Sequence, residues 1–210
     1  MIKIENIDVY GFETAIRGAR NPMNSWDRMD SGYNNGKFEI GENDYKLLKN
    51  LTIAGPEHSK WNRMVTVTMD ITAPLYWWKE YDTYKVGTVA NSCSTMHKIQ
   101  AKEFVLDDFS HEHLGEYLEW LLSEVILELN ENREKFNRTK DKDYWWQMIQ
   151  LLPSSYNQKR TVHLNYEVLG TIYHQRRHHK LDEWVEFCNM IKTLPYSEFI
   201  TREFGDKDDM

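Results

Sequence analysis

Between Val65 and Ile71 apolar residues fall at every second position, with Thr66, Thr68 and Asp70 between them. That period of two predicts a strand with one buried face. A second alternation, through Ile2, Ile4, Ile7 and Val9, predicts an edge or first strand at the N-terminus. Elsewhere the period is helical. Leu114, Leu118, Leu121, Leu122, Val125 and Leu129 form an apolar stripe, and Ser110 stands ahead of them as a candidate cap. Thr14 to Arg20 predicts a short helix stopped before Pro22, and Asp44 to Leu51 another, broken by Ala54-Gly55-Pro56. Charge-rich Asn130 to Asp143 links the Leu114 helix to one over Tyr144 to Leu152, which Pro153 terminates. Asn165 to about Ile191 reads as one long helix or two abutting ones. Asn21 to Gly41 has no steady period and reads as a loop over a site or interface. The sum is an α/β chain of the α+β kind, with few strands and several substantial helices.

Composition narrows the classes. At 210 residues and 40% hydrophobic content the chain can bury one full core, so a single domain is expected over residues 1–204, with 205–210 as a frayed tail. Acidic residues outnumber basic ones, 33 to 26, for a net charge of -7. That argues against a general nucleic-acid coat protein, and no nucleic-acid partner is expected. Cys93 and Cys188 are too few for a disulfide scaffold, and with no signal peptide the expected compartment is the reducing cytoplasm. No apolar run approaches the length of a membrane span. The eight Trp suit a core, an oligomer interface or a pocket that binds a ring.

The chemically densest stretch is Ala73 to His97, where aromatics, Lys, Glu, small residues, Cys and His share one segment. Pro74 suits the first turn of a helix there. Trp77 and Trp78, like Trp145 and Trp146, read as exposed aromatics. Cys93 as a nucleophile would require His97 to turn toward it, and a buried small thiol is the commoner fate. His174 and His178 have the i,i+4 spacing that can hold a metal, yet no HExxH pattern or Cys pair completes a shell, so no metal is expected. Gly32 and Gly36 are too sparse for a phosphate loop. Arg176-Arg177-His178-His179-Lys180 places consecutive cations on the last helix. The stripe Asn165, Leu169, Ile172, Arg176 turns Arg176 inward, where it calls for a carboxylate or a phosphate. Lys159 and Arg160, in a loop after Pro153, can converge on the same anion.

The order of these motifs resembles the flavin-dependent thymidylate synthases from about Asp44 to Trp184. That family carries G-H-x-T-P-F-E-H, a strand, A-P-x-x-x-x-R-Q and the signature R-H-R-x-x-S-x-N-E-x-S-x-R-Y. Here Pro56-Glu57-His58 precedes the strand, and Ala73-Pro74 with Lys79-Glu80 follows at the same spacing. Leu152-Pro153, Lys159, Asn165, Leu169 and Arg176 match the later positions without a gap. Thr83-Tyr84-Lys85 replaces Arg-His-Arg, and Thr88 replaces the first Ser. The signature's tail fits in two registers. One sets Asn91 at Glu, Cys93 at Ser and Thr95 at Arg; the other sets Asn91 at Asn, Ser94 at Ser, Met96 at Arg and His97 at Tyr. Under both, one nucleotide-holding Arg is lost. Lys is no substitute for Arg at a bidentate site.

The resemblance implies a small, mostly antiparallel sheet with several long helices, assembled as a homotetramer with sites between subunits. It implies FAD against His58, Lys85, Thr88, Asn91 and Asn165, and a nucleotide such as dUMP against Glu80, Ser94, Lys159 and Arg176. NADPH and methylenetetrahydrofolate would be co-substrates. No protein nucleophile is implied, because the hydride comes from the reduced flavin, and no catalytic residue is assigned. Two functions stay open: a divergent flavin-dependent enzyme, and a non-catalytic nucleotide-binding or assembly protein that kept the fold.

Overall fold

A computed structural model describes residues 2–205. Strand β1 (Lys3–Tyr10) leads to helix α1 (Phe12–Arg20), short strands β2 (Gly32–Asn34) and β3 (Lys37–Glu39), and helix α2 (Glu42–Ile53). Then come β4 (Thr66–Pro74), α3 (Leu75–Tyr81), β5 (Val89–Ser92), α4 (Thr95–Lys98) and the long α5 (Glu116–Thr139). The chain finishes through α6 (Lys142–Leu151), β6 (Asn157–Asn165), α7 (Tyr166–Arg176), α8 (Asp182–Ile191) and α9 (Glu198–Thr201). Four strands form a sheet in the order β1-β4-β6-β5. Thr68 Oγ1 meets His163 Nδ1 at 3.1 Å and Thr161 Oγ1 donates to Asp70 at 2.6 Å, so β4 and β6 run antiparallel. Among the described residues, 2–5, 70–83 and 90–161 form one compact unit, and 6–69, 84–89 and 162–205 a second.

In the first unit α5 and α6 pair as a hairpin over Phe104, Phe109, Leu122, Ile126, Leu129 and Met148. Lys140, in the left-handed region, and Asp141 are the whole connection. Asp141 caps α6 by accepting from Asp143 N at 3.0 Å. The charge-rich stretch expected to be a linker is therefore mostly helix, carried by the apolar stripe beneath it. Ser110 does not cap α5. Gly115 stands at that cap, while Ser110 N donates to Ser155 O at 2.8 Å and its hydroxyl to Asn157 at 3.0 Å. Trp77 and Trp78 are fully buried, with Tyr81 packed on both, so their expected exposure is wrong. Trp78 Nε1 donates to Gln158 O at 2.9 Å, so the indole is turned onto strand β6 rather than outward.

The second unit packs α1, α2, α7, α8 and α9 around Phe12, Ile16, Leu48, Trp61, Tyr166 and Phe199. Residues 21 to 41 are not an aperiodic loop throughout. Gly32–Asn34 pairs antiparallel with Lys37–Glu39, and Asn35 and Gly36, both at positive φ, make the two-residue turn such hairpins favour. The remainder is tied down by two carboxylates. Asp44, completely buried, takes Arg20 Nε at 2.6 Å, Ser31 N at 2.9 Å and Asp30 N at 3.0 Å. Asp30 returns the contact by accepting from Asn43 N at 2.9 Å and Asp44 N at 3.0 Å, which caps α2 from outside the helix. A Cβ on Gly41 would come within 2.3 Å of the Asp30 carboxyl, so glycine is required there.

Asn165 to Ile191 resolves into α7 and α8 with a break at Arg177. His178 lies past the helix end, so His174 and His178 do not share a helical face. Among the described residues no His, Cys, Asp and Glu cluster is arranged for a metal. Lys159 and Arg160 are in strand β6, not in a loop. Of the expected tail, 206–210 lie outside the described residues.

Candidate functional site

Helix α7 organises the second unit's candidate chemistry. Asn165 caps it, its side-chain oxygen accepting from Val168 N at 3.0 Å. The other end of that amide is directed at the segment Tyr84–Val89: its nitrogen would lie 3.1 Å from a Cβ on Gly87. Gly87 has φ +76, so the backbone passes the helix start where a side chain would be strained and crowded. Thr88 follows, with a hydroxyl that is buried and makes no hydrogen bond. Gly87 thus sets this segment against the start of α7, with Thr88 next to it in the chain. Lys85 is exposed, and Val86 beside it is 90% exposed.

At the far end of α7, Arg176 Nε donates to the Tyr84 hydroxyl at 2.9 Å. That hydroxyl donates in turn to Gln175 Oε1 at 2.9 Å. The guanidinium lies 4.9 Å from the ring centre of buried Trp184 and 5.7 Å from that of Tyr84. Arg176 is half-buried, as its place on the stripe predicts.

His58 is exposed, but its neighbours Pro56 and Ser59 line a cavity of about 160 Å³ with Asn62, Thr171, His174 and Arg202. Asn62 is 5% exposed and its side-chain oxygen makes no hydrogen bond. Burial, followed by the charges of Arg177 and Arg202, lowers the pKa of His174, which favours a neutral imidazole. Arg63 forks onto Glu167, which also lines the cavity.

In the first unit the β5–β6 region gathers other expected residues. Cys93 N donates to Lys159 O at 2.9 Å, and Gln158 donates to Cys93 O at 2.8 Å. Ser94 caps α4 by accepting from His97 N at 3.1 Å, and Asn91 is exposed on β5. Cys93 is exposed rather than buried, just past β5, the edge strand of the sheet. Lys159 Nζ pairs with Asp70 at 3.1 Å and reaches Glu5 at 3.8 Å; the Asp70 bond raises its pKa above the ordinary lysine value. Arg160 is engaged by Asp82 at 2.8 Å and lies 4.2 Å from the Trp78 ring centre. Glu80, on α3, accepts the Thr83 hydroxyl at its carbonyl, 2.7 Å away.

Tyr84, Gln175, Trp184 and Asn62 are absent from the sequence-derived site. Tyr84 is visible there only as a replacement for a family histidine, and no spacing ties it to α7. A missed strand hid the setting of Lys159, although the alternation Arg160, Val162, Leu164 was its signal.

No family model and no curated protein matches the sequence. Solved structures match its fold, which is that of the flavin-dependent thymidylate synthases. The synthase ThyX of Helicobacter pylori, complexed with FAD and dUMP, superposes with TM-score 0.68 at 16% identity, covering 94% of this chain and 96% of that one. The UMP/dUMP methylase PolB of Streptomyces cacaoi, bound with 5-Br dUMP, superposes with TM-score 0.60 at 16% identity, covering 92% and 89%. The resemblance and the mixed helix-and-sheet class expected from the sequence are both borne out by these superpositions.

Proposed function

We propose that this chain binds FAD and a pyrimidine nucleotide such as dUMP, as a divergent relative of the flavin-dependent thymidylate synthases. The observation that carries the reading is the pair of ends of α7: Gly87, unpartnered Thr88 and the Asn165 amide at its start, and a held, half-buried Arg176 at its finish. The first set fits the polar edge of a flat ring, which needs close backbone, a hydroxyl and an amide. With FAD bound, its reduced ring would supply the hydride. Thr88 and Asn165 would orient that ring, with Lys85, His58 and Asn91 as further contacts. Arg176, Lys159, Ser94 and Glu80 would serve the nucleotide, and transfer of a methylene group would draw on methylenetetrahydrofolate and NADPH. FAD titration followed by flavin absorbance tests the cofactor; a protein that takes up no FAD overturns that part.

A specific observation favours the non-catalytic alternative. Lys159 is already paired with Asp70, and the family's Arg-His-Arg stands as Thr83-Tyr84-Lys85, so fewer cations remain to polarise a uracil. Conversion of dUMP in the presence of both co-substrates would exclude it. Assembly as a homotetramer is part of the proposal. Leu114, Tyr117, Leu118 and Leu121 stand exposed at helical spacing near the start of α5, and a second copy would cover them. A cytoplasmic setting is consistent with the exposed thiol of Cys93.

A further inference from the structure

We propose that Tyr84 is a positioning residue that sets the orientation of Arg176 toward the bound nucleotide, an inference that rests on the reading of Arg176 given above. The geometry is directional. The Tyr84 hydroxyl has one proton, and Gln175 Oε1 accepts it at 2.9 Å. What the hydroxyl offers to Arg176 is therefore a lone pair, met by Nε at 2.9 Å. A guanidinium on a long stem has several rotatable bonds, and one contact leaves it free to swing. Here Nε is fixed by the phenol and the flat face by the indole of Trp184, 4.9 Å away. These two contacts constrain the guanidinium in different directions, and the phenol supplies the one on Nε.

The supports are themselves anchored. Trp184 is completely buried, and its ring meets Tyr84 edge-on at 6.1 Å. Tyr84 opens the short segment whose Gly87 passes the start of α7, so the segment touches both ends of that helix. Gln175 sets the polarity of the relay. Without it the phenol proton could turn toward the guanidinium, and the contact would become repulsive. Ordering a charge before the ligand arrives removes part of the entropic cost of binding.

A double-mutant cycle read by calorimetric titration of the full-length protein with dUMP tests the assignment. Tyr84→Phe keeps the ring on Trp184 and removes only the hydroxyl; it should weaken dUMP about tenfold, the range of one hydrogen bond to a charged group. On an Arg176→Lys background, where no Nε–H exists, the same substitution should change affinity by less than about twofold. Tyr84→His, which restores a ring acceptor, should recover part of the loss. Equal losses on both backgrounds, or a lowered melting temperature with unchanged dUMP affinity, would overturn the positioning role and leave Arg176 as the nucleotide residue. If Arg176→Ala binds dUMP as well as the natural protein does, the underlying reading fails and the positioning role with it.

Discussion

Asp44 is a carboxylate with no solvent exposure, held by Arg20 at 4% exposure and by two backbone N–H groups. Removing one partner of a buried pair strands the other charge, so Asp44→Ala should cost about 3–5 kcal/mol, measured by urea unfolding. Asp30 behaves differently. Although the residue is exposed, desolvation acts to raise its pKa, but the N–H groups of Asn43 and Asp44 outweigh that, and the net shift is downward. A depressed folded pKa gives stability that is present above the unfolded value, near 4 for Asp, and lost as pH falls through the folded one. Asp30→Asn should therefore flatten the acid side of a melting-temperature profile below about pH 4. Asn165 carries two duties that one substitution separates. Asn165→Asp keeps the oxygen that caps α7 and loses the amide N–H groups at Gly87, so it should melt as before yet bind FAD more weakly; an unchanged flavin titration would remove Asn165 from the cofactor site. The thiols divide as well. Burial pushes Cys188 up to about 11 while Cys93 is exposed, so a thiol reagent should titrate one group in the folded protein and two after denaturation.

At the scale of elements, α5 carries two apolar stripes that sequence alone merges into one. Leu122, Ile126 and Leu129 are buried against α6, whereas Leu118 and Leu121 face outward, as does Leu114 just ahead of the helix. Periodicity reports that a face is apolar and not what covers it. Leu129→Ala should cost about 2–5 kcal/mol by urea unfolding. Leu118→Asp should leave the fold intact and lower the assembly mass seen by light scattering if a second copy packs there. Strand β4 was legible because its alternation is unbroken. In β1 the alternation changes phase between Ile4 and Ile7, and Asn6, in the left-handed region, takes up the extra residue. Strand β6 escaped because its inward positions begin with polar Gln158 and Arg160 before Val162 and Leu164, and the Asn35-Gly36 hairpin because its strands are too short to show a period.

On the scale of the molecule, the fold was legible through the order of weak motifs, none of them decisive alone. The site was less so, because its contacts are long in sequence. Nothing local links Tyr84 to Arg176, or Lys159 to Asp70, and only the folded chain makes them neighbours. The reciprocal bonds of Asp30 and Asp44 have a further consequence for how the second unit breathes. Each aspartate holds backbone amides on the other's segment, so the end of α2 cannot fray while the residue 30 region stays in place. In native-state hydrogen exchange the amides of Asp30, Ser31, Asn43 and Asp44 should open together, with one shared protection factor and one shared denaturant slope. A helix terminus and a surface connection, which ordinarily open at the lowest free energies in a protein, would thus belong to one cooperative unit.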